Sequence, residues 1–315
     1  MDDMTLPSSG APLSGTQVSL SAGGYTATIA SIGASLRSLQ FEGRDLVVPF
    51  DEDAIRPVYR GATLVPWPNR VVDGTYELDG ETQQLGLTEP ERGHALHGLA
   101  GWLDYEVREQ SESSATLGVT IPAQLGYPRR LDVAVTFTLS EAGLDTTVTA
   151  TNTGRGVAPF GTAPHPYLRA GDGLVNEWTL SLPADEVLTV TEDRLIPTGR
   201  ASVTEADGGV YDFRSARRID DTFIDHAFTG LAQDENGSTE VRVTAADGSG
   251  VVMRWGTECP WVQVHTADRP EPEMNRVGLA VEPMTCPPDA FNSGDDLILI
   301  EPGESASASW SIAAI

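Results

Sequence analysis

The chain has 315 residues, 40% of them hydrophobic, which is enough for a large buried core and is not typical of a disordered chain. Its 46 acidic and 20 basic residues give a formal net charge of -26. This negative charge repels nucleic acids and anionic membrane surfaces, so we expect neither as a partner. All the basic residues are arginine, which excludes a Schiff-base lysine and a P-loop lysine.

The start of the chain and its cysteines predict a cytoplasmic protein. Acidic residues, Asp2 and Asp3, stand where a secretory signal would be basic, and no apolar run has membrane-spanning length. The two cysteines, Cys259 and Cys286, form neither a disulfide framework nor a CxxC pair. A reduced setting therefore fits best.

The elements in chain order are short and typical of strands. We expect residues 1–15 to form a flexible leader. Residues 131–139 carry a large apolar side chain at every second position, which is the period of a half-buried strand. Asp247-Gly248 lies between two apolar runs and predicts a hairpin. With 32 glycines and 21 prolines, the chain is interrupted too often for long helices. We predict an all-β fold, a single large antiparallel β-sandwich over residues 16–315, with function on loops and strand ends.

The first motif is Pro66-Trp67-Pro68-Asn69-Arg70. The prolines stiffen the backbone around Trp67, and Arg70 offers a rigid fork of donors. An indole and a guanidinium beside a cleft suit a sugar, which has apolar ring faces and rows of hydroxyls. On these residues alone, a structural Trp-Pro packing unit with Arg70 in a salt bridge is favoured.

His94 and His97 have a spacing at which two imidazoles can bind zinc. No glutamate lies between them, and Gly93 and Gly98 predict a loop rather than a helix. We therefore expect no metal and favour a hydrogen-bonding pair in a loop. Histidines that only satisfy backbone carbonyls remain an alternative.

His165 lies between Pro164 and Pro166, two residues before Tyr167 in the sequence Pro-His-Pro-Tyr. The prolines restrict the backbone, and rigid placement of an imidazole is what a general acid needs. A turn in which His165 only packs is equally compatible with the sequence.

Asp225 and His226 lie in an apolar, strand-like stretch, where neighbouring side chains face opposite sides and do not share one site. Asp225 could accept hydrogen bonds from sugar hydroxyls or cap a turn. His265 ends an alternating strand and is interpreted as structural.

Glu282 stands between apolar residues and a run of prolines. Desolvation would raise its pKa and make it a better base, although a buried salt-bridge partner is an alternative. Cys286 lacks an activating context and is interpreted as a small hydrophobic residue.

Several segments keep one order over residues 16–315 and together resemble the motifs of the aldose 1-epimerase (galactose mutarotase) family. The sequence around Trp67 and Glu282 is similar to that of a bacterial mutarotase-like branch, in which some proteins act on modified sugars. Two departures bear on substrate identity: Pro164 stands where the family often has Asn, and Leu99 where it usually has Gly. The segments are Asn69-Arg70 with Gly74, Leu78-Asp79-Gly80, Leu96-His97-Gly98, His165-Pro166-Tyr167, Asp225-His226-Ala227-Phe228, Val262-Gln263-Val264-His265-Thr266, Glu282 with Pro288-Asp289-Ala290, and Pro302-Gly303-Glu304.

The resemblance implies an enzyme that interconverts the α and β anomers of a free hexose by opening and reclosing the ring. Glu282 would be the general base, His165 the general acid, and His97 a hydrogen-bonding group near the ring oxygen. The expected substrate-binding residues are Arg70, Asp225, Asn69 and His94, to which we add Trp67 as a stacking surface. We expect no cofactor, a monosaccharide as the partner, and a monomer or homodimer.

The sequence leaves three alternatives. The same scaffold could be a non-catalytic carbohydrate-binding or sensing domain, although the presence of both His165 and Glu282 argues against it. A glycosidase needs two carboxylates at the bond, and only Glu282 is a secure candidate. An epimerase of a phospho- or sulfo-hexose would need cations at the cleft, which the sequence does not locate.

Overall fold

The computed structural model describes residues 10–315, whose regular secondary structure consists almost entirely of short β-strands joined by loops and turns. One short α-helix, Ala290–Ser293 (α1), and four 3-10 turns, Pro57–Tyr59, Val72–Gly74, Val175–Glu177 and Ala206–Gly209, interrupt them. The strands are Gln17–Ala22 (β1), Tyr25–Ala30 (β2), Ser35–Phe41 (β3), Arg44–Asp45 (β4), Thr63–Leu64 (β5), Arg70–Val71 (β6), Thr75–Leu78 (β7), Glu81–Gln84 (β8), Ala95–Leu96 (β9), Glu106–Gln110 (β10), Ser114–Ile121 (β11), Leu131–Ser140 (β12), Gly143–Asn152 (β13), Ala158–Phe160 (β14), Ala163–Pro164 (β15), Tyr167–Leu168 (β16), Thr179–Ser181 (β17), Ala184–Val190 (β18), Pro197–Ser202 (β19), Arg217–Arg218 (β20), Asp225–Leu231 (β21), Thr239–Thr244 (β22), Gly250–Trp255 (β23), Trp261–His265 (β24), Leu279–Met284 (β25), Ile298–Ile300 (β26) and Ser305–Ala314 (β27).

Two large sheets carry the fold. The nine-stranded sheet has the order β10-β11-β12-β13-β27-β23-β22-β17-β20, and the six-stranded sheet has the order β16-β25-β24-β21-β18-β19. Strands β1 to β4 form a third sheet, and four strand pairs, β5-β15, β6-β9, β7-β8 and β14-β26, complete the set. Every pairing between these strands is antiparallel. The predicted all-β antiparallel sandwich is confirmed.

The alternation at residues 131–139 forms a strand for the expected reason. All five of its large apolar side chains are at most 2% exposed, while the polar residues between them face away from the core. The predicted hairpin also forms, since β22 and β23 pair across the turn at Asp247-Gly248. The local period of two therefore sets which face of each strand is buried.

One hydrophobic cluster joins the sheets. It contains Ile29 of β2, Phe137 of β12 and both Val262 and Val264 of β24. Because successive strand residues face opposite sides, the residues that alternate with Val262 and Val264 are directed away from this cluster. This second face of the six-stranded sheet carries the polar residues considered next.

The predicted leader falls partly outside the described residues, which begin at residue 10. At its end, Ser14 is buried and its hydroxyl donates a hydrogen bond to the carbonyl of Glu52 at 2.8 Å. Residues 10–315 contain no helix that is long and apolar enough to cross a membrane.

Candidate active site

A cleft of about 300 Å³ lies beside the ends of the strands in the six-stranded sheet. Its lining combines arginines, imidazoles, carboxylates and two aromatic rings. Such a mixture suits a small polar ligand with apolar faces. The lining residues are Val58, Tyr59, Arg70, Glu89, Arg92, Leu96, His97, His165, Phe223, Asp225, His265, Asp268 and Arg269.

His165 is held by its backbone and by ring stacking. Its amide donates to the carbonyl of Ala62 at 2.9 Å, and its carbonyl accepts from the amide of Gly61 at 2.7 Å. The imidazole stacks on Tyr167 with ring centroids 5.2 Å apart and meets His97 edge-on at 5.1 Å. The ring therefore has little freedom, as the flanking prolines predicted.

His97 is oriented from behind by Asn69. The amide of Asn69 donates to Nδ1 of His97 at 3.2 Å, and the amide of His97 donates to the carbonyl of Asn69 at 2.8 Å. In a neutral ring this leaves the proton on Nε2, which can then donate to a ligand. Gly98 permits the close turn, since a Cβ there would lie 2.1 Å from the carbonyl oxygen of Val65.

The strand register brings four polar residues to one face of the six-stranded sheet. Gln263 pairs with Glu282, and His265 pairs with Asp225. Directly opposed residues of an antiparallel pair share a face, as do residues two apart on one strand, so all four side chains lie on the same side. Non-local pairing thus places Glu282 among residues far from it in sequence.

His165 and Glu282 face each other. Nε2 of His165 lies 3.4 Å from Oε1 of Glu282, and the residues are 5% and 2% exposed. Burial lowers the pKa of His165 to about 3. Burial also raises the pKa of Glu282 well above its usual value, with a further contribution from the charge of Asp225 and opposition from Arg70. Both shifts favour a neutral ring at His165 and the proton on Glu282.

Arg70 lies in a buried ion pair that is also a fork. Its Nε and one terminal nitrogen donate to the two carboxylate oxygens of Glu89 at 2.7 and 2.9 Å. Arg92 donates to the same carboxylate at 2.8 Å. Burial alone would raise the pKa of Glu89, but the hydrogen bond and charge of Arg70 lower it. The salt bridge expected for Arg70 is present, and the guanidinium also lines the cleft.

Asp225 is an ionised acceptor in the cleft. Nε2 of Gln263 donates to its Oδ1 at 2.7 Å. Burial would raise the pKa of Asp225, but neighbouring groups lower it: His265 when it is protonated, and Arg70, whose positive charge persists near pH 7. His226 stands on the other side of the strand against Tyr211, as the alternation predicted, with ring centroids 4.6 Å apart.

Three expected substrate-binding residues, Trp67, His94 and Asn69, lie outside the lining of the cleft. Trp67 is 3% exposed, packs edge-on against Phe291 at 5.4 Å and donates to the carbonyl of Ala95. His94 is fully buried, with Nδ1 accepting from the amide of Asp73 and Nε2 bonded to the carbonyl of Arg194. Both residues support the backbone, and the aromatic surfaces in the cleft belong to Tyr59 and Phe223 instead. Asn69 also stands behind the lining, where it orients His97 and accepts from Arg70.

Seven lining residues were not among the candidates from the sequence: Val58, Tyr59, Glu89, Arg92, Phe223, Asp268 and Arg269. His265 was interpreted as structural, yet its position two residues after Gln263 places it on the face of Glu282. The sequence signal that could have identified His265 is the strand alternation, because it places the side chains of residues 263 and 265 on one face. Within residues 10–315, no cluster of three His, Cys, Asp or Glu residues could hold a metal ion.

Known proteins share sequence with this chain over most of its length. The sequence model of the aldose 1-epimerase family matches residues 16–313. The uncharacterized protein YihR of Escherichia coli K12 is 38% identical over 292 residues, covering 92% of this chain and 91% of YihR. The galactose mutarotase of Bos taurus is 29% identical over 76% of this chain and 74% of its own length.

Solved structures show the same fold. A putative aldose 1-epimerase of Escherichia coli K12 superposes with a TM-score of 0.81 at 22% identity, covering 95% of this chain and 99% of that one. Galactose 1-epimerase of Lactobacillus acidophilus gives a TM-score of 0.76 at 20% identity, covering 93% of this chain and 92% of that one. The match of the family model over nearly the whole described chain shows that this protein belongs to the aldose 1-epimerase family.

Proposed function

We propose that the protein is an aldose 1-epimerase that interconverts the α and β anomers of a free hexose. The observation that carries the proposal is the buried pair of His165 and Glu282, 3.4 Å apart at a cleft of about 300 Å³. Anomer interconversion needs one proton donor and one proton acceptor, and no redox change or group transfer.

In this proposal Glu282 takes the proton of the anomeric hydroxyl while His165 gives a proton to the ring oxygen. The bond between C1 and the ring oxygen breaks, and the anomeric oxygen becomes the carbonyl oxygen of the open-chain aldehyde. Rotation about C1–C2 presents the opposite carbonyl face, and reclosure proceeds with the two roles reversed. Ring opening leaves Glu282 protonated and His165 neutral. Reclosure returns the proton of Glu282 to the anomeric oxygen and a proton from the sugar to His165, so the protons balance over the cycle.

Proton accounting supports a one-proton pair. The lowered pKa of His165 and the raised pKa of Glu282 favour the proton on Glu282. Catalysis as proposed uses the other arrangement, with the same proton on His165. A shift between nitrogen and oxygen atoms 3.4 Å apart interconverts the two arrangements without a change in net charge.

The remaining lining residues would hold the sugar. Arg70 and the ionised carboxylate of Asp225 offer donors and acceptors for hydroxyls, and Nε2 of His97 is a donor for the ring oxygen. Tyr59 and Phe223 supply apolar surfaces for the ring faces. Fixing the sugar between acid and base contributes further to the rate.

The test measures the rate of exchange between anomers. Polarimetry and NMR monitor this exchange in freshly dissolved α-anomers of glucose, galactose and other hexoses. Galactose belongs on the panel because a relative is a galactose mutarotase. We expect the protein to accelerate exchange of at least one sugar. If every rate equals that of the buffer blank while sugars still bind, the non-catalytic carbohydrate-binding function replaces this proposal.

A second candidate, an epimerase of a phospho- or sulfo-hexose, is favoured by one observation. Arg269 lines the cleft and, among residues 10–315, forms no ion pair with a carboxylate. Including phospho- and sulfo-hexoses in the panel decides between the candidates. The anionic substrate would lose kcat/KM in Arg269→Gln, whereas a neutral hexose would not.

A further inference from the structure

The mechanism above leaves His265 without a role, although it lines the cleft. We propose that His265 is a specificity-determining residue that pairs with Asp225 to hold two neighbouring sugar hydroxyls and so selects the configuration of the substrate. The proposal rests on the function proposed above and concerns the same cleft.

The position of His265 is set by two interior strands. β24 lies between β25 and β21, and His265 pairs directly with Asp225 across β24 and β21. Directly opposed side chains of an antiparallel pair start about 4.5–5.5 Å apart on one face. The two groups therefore reach the cleft side by side, at a spacing that backbone hydrogen bonds fix.

His265 has hydrogen-bonding capacity that the protein does not use. Its Nδ1 is buried and has no hydrogen-bond partner within residues 10–315. That atom lies 3.9 Å from Oδ1 of Asp225, which is too far for a hydrogen bond, and Gln263 already donates to this oxygen. Oε1 of Gln263 is also buried and without a partner in the described part of the chain.

Such unused polar atoms are uncommon in protein interiors, because each loses its hydrogen bonds to water. Here they lie together on the sheet face that carries Glu282, at the edge of the cleft. Both atoms lie just below the cleft surface, and a small rotation of either side chain would let the adjacent hydroxyl groups of a ligand supply the missing partners. A structural role for the histidine would instead have left its nitrogens bonded to protein, as they are in His94.

The chemistry of the pair suits two adjacent hydroxyls rather than one. The carboxylate of Asp225 only accepts, whereas an imidazole kept neutral has one donor and one acceptor nitrogen. Burial lowers the pKa of His265, which keeps the ring neutral near pH 7. A sugar with either hydroxyl inverted leaves one buried group unpaired, and sites of this kind reject such analogues strongly.

The test compares His265→Phe, which removes both nitrogens but keeps a ring, with His265→Gln, which retains a donor and an acceptor. The matched control is His226→Gln, a histidine next to Asp225 whose ring lies against Tyr211 on the other face. The panel holds the best neutral hexose, its C2, C3 and C4 epimers and the corresponding deoxy sugars. NMR exchange gives kcat and KM for each sugar, and titration gives Kd.

We expect His265→Phe to raise KM for the best hexose roughly 3- to 10-fold with little change in kcat. Discrimination against one epimer and one deoxy sugar should shrink by the same factor, and His265→Gln should restore part of it. An equal factor for every sugar, an effect on kcat alone, or the same change in His226→Gln would overturn the proposal.

The failure of this inference differs from failure of the proposed function. If the native protein exchanges anomers and His265→Phe keeps the native sugar profile, only the role of His265 is lost. If no sugar is exchanged but Kd values show a preference that depends on His265, the enzymatic function is lost and the binding role stands.

Discussion

The exposed face of the nine-stranded sheet and the cleft face of the six-stranded sheet both carry polar side chains on regular strands, but they use them differently. On the nine-stranded sheet, hydroxyls pair across β13 and β27, as in Thr147 with Ser309 and Thr149 with Ser307, each at 2.9 Å. On the six-stranded sheet, Gln263, His265 and Glu282 each keep a buried polar atom without a partner in residues 10–315. Polar pairs that satisfy one another, as in this closed ladder, are structural, whereas the unpaired polar atoms of the cleft face call for a separate explanation, which the proposal for His265 supplies.

The largest expected effect follows from replacing either residue of the His165 and Glu282 pair at the cleft. Glu282→Gln and His165→Asn should each lower the rate of anomer exchange at least about 100-fold, since each removes general acid or base catalysis. Thr149→Ala, on the closed ladder, should leave the rate unchanged. The rates are measured by NMR exchange, and circular dichroism checks that each variant folds. A variant of either residue that keeps a tenth of the rate would contradict the comparison.

The next effect concerns ion pairs in the two regions. Arg70→Ala leaves Glu89 beside the cleft with Arg92 as its remaining partner and should lower the free energy of unfolding by about 2 kcal/mol. Arg108→Ala breaks the pair with Asp132 on the nine-stranded sheet, where both side chains are about one-third exposed, and should cost at most about 1 kcal/mol. Urea denaturation measures both values. Equal losses would show that the cleft pair is no more desolvated than the surface pair.

A smaller effect is expected from pH. Burial lowers the pKa of His97, His165 and His265 below the usual 6.5. Between the lowered and the usual pKa values the unfolded chain binds more protons, so folding stability should fall as pH drops below about 6.5. Each histidine contributes at most about 1.4 kcal/mol per pH unit. The nine-stranded sheet contains no histidine.

Urea denaturation between about pH 4.5 and pH 7.5 checks this sign. The raised pKa of Glu282 acts in the opposite sense, because the folded protein keeps a proton that the unfolded chain releases as pH rises. Subtracting the pH profile of His165→Asn from that of the native protein separates the histidine from this opposing effect. An unchanged slope in the variant would show that His165 is not buried as a neutral ring.

Local features of the fold could be predicted from the sequence, whereas contacts between distant segments could not. Alternation at residues 131–139 predicted both a strand and its buried face, because the period of two is local. The motifs around His165 and Glu282 nominated the pair that the fold brings together. The carboxylate of Glu89 was missed, because its pairing with Arg70 depends on a loop path that no local period encodes.

His265 and Trp67 both show that a local sequence pattern does not indicate which residues border the cleft. Alternation placed His265 on one face with Gln263, but only the pairing of β24 with β21 and β25 shows that this face borders a cleft. Trp67 was expected to stack on a sugar, yet it contacts Phe291 of α1, a partner more than 200 residues away in the sequence. Local patterns indicate faces and stiffness, while long-range packing decides which face remains open.

The smallest effect tests the closed ladder itself. Thr149 and Ser307 are opposed across β13 and β27, and water can replace their exposed hydrogen bond. A double-mutant cycle with Thr149→Ala and Ser307→Ala should give a coupling of about 0.2–1 kcal/mol by urea denaturation. The corresponding cycle with Gln263→Ala and Asp225→Ala should give a larger coupling, because their 2.7 Å hydrogen bond is largely buried. If the two couplings are equal, water reaches the cleft face as freely as the outer sheet. The unused atoms of His265 and Gln263 would then no longer indicate a ligand.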